Sequence, residues 1–122
     1  MNYIKDKTIV VTGAASGFGR LVAQKVSALG ASVVVADINI EELAETLSSL
    51  ENPDNAISVV ADVADRNAVA QVSAEAFGRF GSIDIMLNNA GVMPLAFFSD
   101  HGVAAEAWDR CIDINIKGVL NG

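Results

Sequence analysis

A glycine-rich turn between a strand-like run and a helix-like run carries the clearest chemical signal in this sequence. Residues 8–11 are apolar and β-branched, and residues 12–19 read Thr-Gly-Ala-Ala-Ser-Gly-Phe-Gly before an amphipathic helix that starts near Phe18. Gly13 allows the chain to leave the strand, Gly17 lets the backbone approach a phosphate, and Gly19 lets the helix pack closely. A helix N-terminus presents free N–H groups and a positive dipole end to an anion. The turn therefore predicts a site for the pyrophosphate of a dinucleotide, although a turn of simple geometric function is the alternative.

An acidic residue ends the second strand-like run. Asp37 follows residues 32–36. It lies about 20 residues beyond the glycine-rich turn, which is where dinucleotide-binding folds place a ribose-binding acid. A carboxylate there accepts hydrogen bonds from the adenosine ribose hydroxyls and repels a 2′-phosphate, and Ile38 rather than an arginine comes next. This arrangement favours NAD over NADP. A helix N-cap or a solvated turn residue is the alternative role for Asp37.

Two further strand-like runs also end in polar residues. Asp62 and Val63 follow the third run, and the sequence Asn-Asn-Ala-Gly at residues 88–91 follows the fourth. Ligands of open α/β sheets bind beyond the carboxyl ends of the strands, so these strand ends are expected to converge on one crevice. Asn88 and Asn89 as local turn formers are the alternative interpretation.

The elements that must position these residues alternate regularly between strand and helix. Apolar patterns predict strands over residues 8–12, 32–37, 57–61 and 83–88, helices over 18–29, 40–51 and 66–80, a loop over 92–103 and a last helix from about residue 104. Such alternation is typical of a parallel sheet covered on both faces. We expect one α/β domain over residues 1–122, with a doubly wound, Rossmann-type sheet of strand order 3-2-1-4.

Composition excludes several other classes of protein. The 122 residues are 52% hydrophobic and carry a net charge of −7 with scattered lysines, which argues against nucleic-acid or anionic-membrane binding. No apolar run approaches the ~18 residues of a membrane span, and the first residues lack a signal-peptide pattern. The single cysteine, Cys111, excludes an internal disulfide and suits a reducing compartment, so a cytoplasmic location is expected. No cluster of residues has metal-ligand spacing, so no metal site is expected.

The motifs at residues 12–19 and 88–91, together with Asn115 in the sequence Asp-Ile-Asn-Ile-Lys-Gly, resemble the cofactor-binding N-terminal half of short-chain dehydrogenases/reductases. The resemblance covers essentially the entire chain and implies hydride transfer between a nicotinamide coenzyme and a small-molecule alcohol or carbonyl substrate. It implies a structural role for Asn88 and a water-linked proton relay supported by Asn115, the one catalytic position of the family that is present. It also implies that the coenzyme-binding residues are Thr12, Gly13, Ser16, Gly17, Phe18, Gly19, Asp37, Ile38, Asp62, Val63, Asn89, Ala90 and Gly91.

The sequence departs from the family pattern in its proton-transfer residues. The family uses a Tyr-x-x-x-Lys motif and a serine, whereas the single tyrosine here is Tyr3, ahead of the first strand, where its spacing to Lys7 is a coincidence. The sequence ends at Gly122, before the family's catalytic serine and Tyr/Lys helix. We therefore expect the chain alone to bind NAD without turnover, and a non-catalytic nucleotide-binding module is the alternative function.

The last predicted helix carries an apolar side that includes Trp108, Ile112, Ile116 and Val119. An apolar surface of this kind predicts association between molecules. We therefore expect the chain to self-associate.

Overall fold

The sheet consists of four parallel strands, and helices follow the strands along the chain. The computed structural model describes residues 2–93, 99 and 101–122, and for His101 and Val103 the backbone alone. The strands are β1 (Thr8–Thr12), β2 (Ser32–Asp37), β3 (Ala56–Val60) and β4 (Ile85–Leu87). The helices are α1 (Gly17–Ala28), α2 (Ile40–Ser48), α3 (Arg66–Phe80), α4 (His101–Ile112) and α5 (Gly118–Asn121), with a 3₁₀ turn at Pro53–Asn55 and a π-helical segment at Asp113–Lys117.

The strand order is β3-β2-β1-β4, which confirms the predicted order 3-2-1-4 and the Rossmann-like α/β class. In the parallel register, Val10 of β1 lies between Val34 of β2 and Met86 of β4. The two central strands, β1 and β2, are buried on both faces because helices cover both faces of the sheet there. The carboxyl ends of the strands therefore lie along one edge of the sheet.

Alternate residues of each strand enter two separate cores. Ile9, Val11, Val33 and Val35 pack on one face against a cluster that includes Leu43 of α2 and Ala23 of α1. Val10, Val34 and Val59 pack on the other face against Val72 and Ala76 of α3. A third, smaller cluster joins Val63 and Val69 to Ile114, so the π-helical segment packs beside α3.

Several boundaries differ from the predicted ones. The strand predicted over residues 83–88 is shorter because Asp84 supplies its own carboxylate to the sheet: Oδ2 accepts from the Thr8 N–H at 2.8 Å, and regular pairing begins at Ile85. The helix predicted over residues 40–51 ends at Ser48, where the Ser49 hydroxyl donates to the Thr46 carbonyl at 2.7 Å. The last helix begins at His101, about one turn earlier than predicted. Residues 94–98 and 100 of the predicted loop lie outside the described residues.

None of the helices in the described part of the chain is long and apolar enough to cross a membrane. The described residues also contain no group of three or more histidine, cysteine or acidic side chains that could hold a metal ion.

Candidate functional site

A cavity of about 380 Å³ lies at the carboxyl ends of the strands. Segments that follow all four strands contribute to its wall, as does one residue of the π-helical segment. The lining residues are Gly13, Ser16, Phe18, Asp37, Ile38, Ala61, Asp62, Val63, Asn89, Ala90, Gly91, Val92 and Ile114. The structure therefore brings together the predicted residues from every strand end.

Two glycines of the turn are required by close packing. Gly13 has φ +67°, and a Cβ there would lie 2.8 Å from the Ala90 Cα. A Cβ on Gly19 would collide with the Gly13 carbonyl oxygen and would lie 2.7 Å from the Asn89 side-chain nitrogen. Gly17 has φ +57° and differs in its surroundings, since apart from its chain neighbours and the backbone of its own helix no atom lies within 4 Å of the position its Cβ would take. The turn is thus packed tightly against the strand ends at Gly13 and Gly19 and faces open space at Gly17.

The N-terminus of α1 lacks the side-chain cap that neighbouring helices have. Ser16 is extended at the N-cap position and makes no side-chain capping hydrogen bond, and the first turn of α1 contains no acidic residue. By contrast, Asn39 caps α2 by accepting from the Glu42 N–H at 3.0 Å, and Asp65 caps α3 by accepting from the Asn67 N–H at 2.9 Å. The first N–H groups of a helix have no partner inside the helix, so α1 presents donors and a positive dipole end at the cavity.

The Asp37 carboxylate is fixed in place at the cavity wall. Its Oδ2 accepts from the Ala15 N–H of the glycine-rich turn at 3.0 Å, and its Oδ1 accepts from the Asn39 N–H at 3.0 Å. Asn39 is the N-cap of α2, so Asp37 does not cap this helix, and its bond to the Asn39 N–H is the local contact of a turn residue, the other alternative role. A carboxylate oxygen can accept more than one hydrogen bond, and both oxygens retain acceptor capacity.

Thr12, at the end of β1, joins the glycine-rich turn to the segment after β4. Its hydroxyl accepts from the N–H groups of Asn89 and Ala90, each at 3.1 Å, and donates to the Leu87 carbonyl at 3.4 Å. The Asn89 side chain donates to the carbonyls of Thr12 at 3.2 Å and Gly13 at 3.3 Å. Asn89 therefore makes the bracing contacts, whereas Asn88, for which a structural role was expected, lies against Gly122.

The segment after β3 is anchored to the last helical region. Asp62 accepts from the Ala64 N–H through Oδ1 at 3.0 Å and from the Arg110 guanidinium through Oδ2 at 2.9 Å. Val63 is buried, and its carbonyl accepts from the Asn121 side chain at 2.9 Å. These contacts hold one side of the cavity against α4 and α5.

Asn115 lies in the π-helical segment, a geometry that often marks functional sites. Its side chain donates to the Val92 carbonyl at 2.7 Å and accepts from the Val92 N–H at 2.8 Å. The Sγ of Cys111, one turn earlier, lies 3.2 Å from the same amide nitrogen. Asn115 thereby fixes the backbone that follows residues 88–91, and its neighbour Ile114 reaches the cavity wall.

Residues 7–122 match the family described as short chain dehydrogenase. The chain belongs to this family. Among similar proteins, an uncharacterized oxidoreductase of Staphylococcus epidermidis is 39% identical over 121 residues, which are 99% of this chain and 51% of that protein. An uncharacterized oxidoreductase of Listeria monocytogenes is 38% identical over 120 residues, which are 98% of this chain and 48% of that protein. The chain thus spans about half the length of the curated relatives it matches.

Solved structures of similar proteins have the same fold over the length of this chain. A short chain dehydrogenase/reductase from Burkholderia phymatum in complex with NAD superposes with a TM-score of 0.90 and 34% identity, covering 100% of this chain and 43% of that one. A 3-ketoacyl-(acyl-carrier-protein) reductase from Brucella melitensis complexed with NADH has a TM-score of 0.88 and 30% identity, covering 97% and 48%.

Three residues that line the cavity were not predicted from the sequence: Ala61, Val92 and Ile114. Ala61 and Val92 directly adjoin predicted residues, so a wider window around each strand end would have included them. Ile114 gave no such signal, because its place depends on how the last helix packs back over the third strand end. Thr12, Gly17 and Gly19 were predicted and do not line the cavity; Thr12 and Gly19 act by supporting it.

Proposed function

We propose that residues 1–122 form the coenzyme-binding domain of a short-chain dehydrogenase/reductase that transfers hydride between a nicotinamide coenzyme and an alcohol or carbonyl substrate. The observation that carries this proposal is the uncapped N-terminus of α1, which opens on the same cavity as the fixed Asp37 carboxylate. An anion-binding helix end beside a ribose-binding acid is the pairing that a dinucleotide requires. The solved relatives in complex with NAD and NADH support the assignment.

The cavity residues fit the parts of a dinucleotide in order along the sheet edge. The open space at Gly17 and the free donors of α1 suit the pyrophosphate, because no side chain there blocks its approach. Asp37 would accept from the adenosine ribose, and Asp62 and Val63 would flank the adenine. Residues 89–91 would line the nicotinamide ribose. When bound, NAD supplies a carbon that accepts or donates hydride, and the chain's own residues hold and orient it.

Preference for NAD over NADP follows from the charges near Asp37. A ribose 2′-phosphate at this position would face a carboxylate, and the next lining residue, Ile38, is apolar. The nearby guanidinium of Arg20 is already bonded to Thr46 at 2.8 Å and to the Glu42 carbonyl at 3.1 Å, and it pairs with Glu45 at 3.6 Å. A 2′-phosphate would therefore meet repulsion without a free cationic partner from this arginine.

Proton transfer needs groups beyond those that line this cavity. The lining contains no tyrosine or lysine among the described residues, and Tyr3 is exposed on the approach to β1. Asn115, held by Val92, is the residue we assign to the support of a proton relay. We expect the 122 residues alone to bind NAD without alcohol or ketone turnover, and turnover comparable to that of an intact relative would contradict this expectation.

Calorimetry with Asp37→Asn tests the coenzyme assignment. Hydrogen bonds to charged groups contribute about 1.5–3 kcal/mol, so the substitution should weaken NAD binding about tenfold or more. It should also strengthen NADP binding, because a repulsion of roughly 1 kcal/mol or more at about 4 Å is removed. Asp54→Asn, which makes the same charge change in the exposed 3₁₀ turn, should leave both affinities unchanged. An unmodified chain that binds neither coenzyme would contradict the proposal, for a sensor as well as for an enzyme.

We also propose that the chain self-associates through the last helical segments. Ile116 is 63% exposed and Leu120 is 77% exposed, on the side of the chain where Ile112 and Val119 are exposed as well. Covering these side chains with a second copy would remove apolar surface from water. Sedimentation should show dimers or larger species that Leu120→Glu dissociates, whereas Ile40→Glu, on the exposed side of α2, should not. A monomer at high concentration would contradict the proposal.

A further inference from the structure

The glycine-rich turn is held on the side of α2 by a pair of residues that do not line the cavity. Arg20 of α1 donates through Nε to the hydroxyl of Thr46 of α2 at 2.8 Å. Thr46 is completely buried, at 0% exposure, although it is a polar residue on a short surface helix. Buried polar side chains are nearly always hydrogen-bonded, so the partners of Thr46 indicate which groups it holds in place.

The Thr46 hydroxyl has one proton, and the structure fixes where that proton goes. Because Oγ1 accepts from the Arg20 Nε–H, its own hydrogen is free to donate, and the Ala14 carbonyl lies 2.8 Å away. Arg20 also donates through its terminal nitrogen to the next carbonyl, that of Ala15, and to the Glu42 carbonyl at 3.1 Å. Arg20 and Thr46 therefore hold two consecutive carbonyl groups of the turn.

The same turn peptide connects Thr46 to Asp37. The Ala14 carbonyl and the Ala15 N–H belong to one planar peptide group, so fixing the orientation of one fixes the other. Thr46 donates to the carbonyl end of this peptide at 2.8 Å, and the N–H end donates to Asp37 Oδ2 at 3.0 Å. A hydrogen-bonded chain thus runs from Arg20 through Thr46 and the peptide to the carboxylate.

We propose that Thr46, oriented by Arg20, is a positioning residue that sets the direction of the Asp37 carboxylate and thereby the discrimination between NAD and NADP. This inference rests on the proposed function. Without the hydroxyl, the Ala14 carbonyl loses a buried donor and the peptide is free to tilt, so the Ala15 N–H holds Asp37 less well. NAD depends on an aligned carboxylate for its ribose hydrogen bonds, whereas NADP has no favourable contact there to lose.

The test compares Thr46→Val, which removes the hydroxyl at nearly constant shape, with Thr46→Ser, which retains it. Calorimetry on the full chain should show Kd for NAD raised about tenfold by Thr46→Val and Kd for NADP changed by less than about threefold. The ratio of the Kd for NADP to the Kd for NAD therefore falls. Thr46→Ser should keep the ratio within about threefold of that of the unmodified chain. Gln24→Ala is the matched control, because Gln24 also bonds α1 to α2, donating to the Ser49 hydroxyl at 2.9 Å without contact to the turn.

A second measurement needs no coenzyme. Hydrogen exchange of the Ala15 amide, followed by NMR, should accelerate at least about fivefold in Thr46→Val relative to Gln24→Ala, since the bond to Asp37 opens more often. If Thr46→Val does not fold, Arg20→Lys takes its place in both measurements. This substitution keeps the charge and loses the Nε–H bond to Thr46, so it should change both measurements in the same direction as expected for Thr46→Val. Equal weakening of NAD and NADP, or no change in either, would overturn the positioning role while leaving coenzyme binding intact. Failure of the unmodified chain to bind either coenzyme would overturn the proposed function and the discrimination with it, even if Ala15 exchange responded as expected.

Discussion

Thr12→Val should destabilise the fold, because the Thr12 hydroxyl accepts from two backbone donors at the junction of β1 and β4, and the Ala90 N–H depends on this bond. Thr12 is 3% exposed, and its Oγ1 accepts from the N–H groups of Asn89 and Ala90, each at 3.1 Å. Valine has nearly the same shape and fills the same space, so the substitution creates no cavity. It changes only the hydrogen bonds.

The magnitude follows from the number of groups left without a partner. The Asn89 N–H also donates to the Leu87 carbonyl at 3.0 Å, so the Ala90 N–H is the donor that loses its acceptor, at a cost of about 1–3 kcal/mol. The weaker donation to the Leu87 carbonyl at 3.4 Å adds little. For a domain of this size, 1 kcal/mol corresponds to a change of roughly 3–5 °C in Tm, so a decrease of roughly 5–10 °C is expected.

Urea denaturation followed by circular dichroism measures the change in the free energy of unfolding, and calorimetry gives Tm. Thr12→Ser is the control, since it keeps the hydroxyl and loses a single methyl group, for a cost of about 1 kcal/mol. If Thr12→Val were as stable as the unmodified chain, or if Thr12→Ser lost as much stability, the hydrogen bonds at this junction would not account for its strength.

Two further predictions concern the turn and the last helical region. Gly19→Ala should reduce NAD affinity at least about tenfold and destabilise the chain by roughly 1–3 kcal/mol, because its Cβ collides with the Gly13 carbonyl. Gly78→Ala on α3 should instead stabilise the chain by about 0.5–1 kcal/mol, because no atom beyond its own helix backbone and chain neighbours lies within 4 Å of the added Cβ. Calorimetric titration and urea denaturation of both variants check this pair, and equal effects would contradict it. Asn115→Ala should accelerate hydrogen exchange of the Val92 amide about tenfold or more by removing its acceptor at 2.8 Å, and unchanged exchange would show that the loop is held by other contacts.

The alternation of strands and helices could be predicted because it depends on local patterns of apolar residues. The strand order required no more than the doubly wound arrangement, in which the chain returns beside its first strand. The short β4 could not be predicted, since Asp84 replaces a backbone partner with its side chain. A sequence pattern does not show which of two polar groups, backbone or side chain, will bond to a neighbouring strand.

The candidate site was predicted at the strand ends and missed where the last helix packs against them. Of the adjacent Asn88 and Asn89, residue type alone does not decide which one braces β1; the answer depends on which side of the chain faces Thr12. Arg20 and Thr46 also escaped prediction, because helix positions with a polar residue usually face solvent. Their role becomes visible only when α1 and α2 are placed side by side against the turn.

The hydrogen bonds in and around the cavity indicate why the pyrophosphate would matter for coenzyme binding. Asp37, Thr12 and Asn89 already have partners within the chain, so their positions are set before any ligand arrives. Preorganised groups of this kind select the geometry of a ligand at little further cost in entropy. The first turn of α1 is different, because no side chain caps it and open space adjoins Gly17. An anion bound there would satisfy donors that the fold itself leaves free, so under the proposed function the phosphates would supply binding energy and the strand ends would supply selectivity.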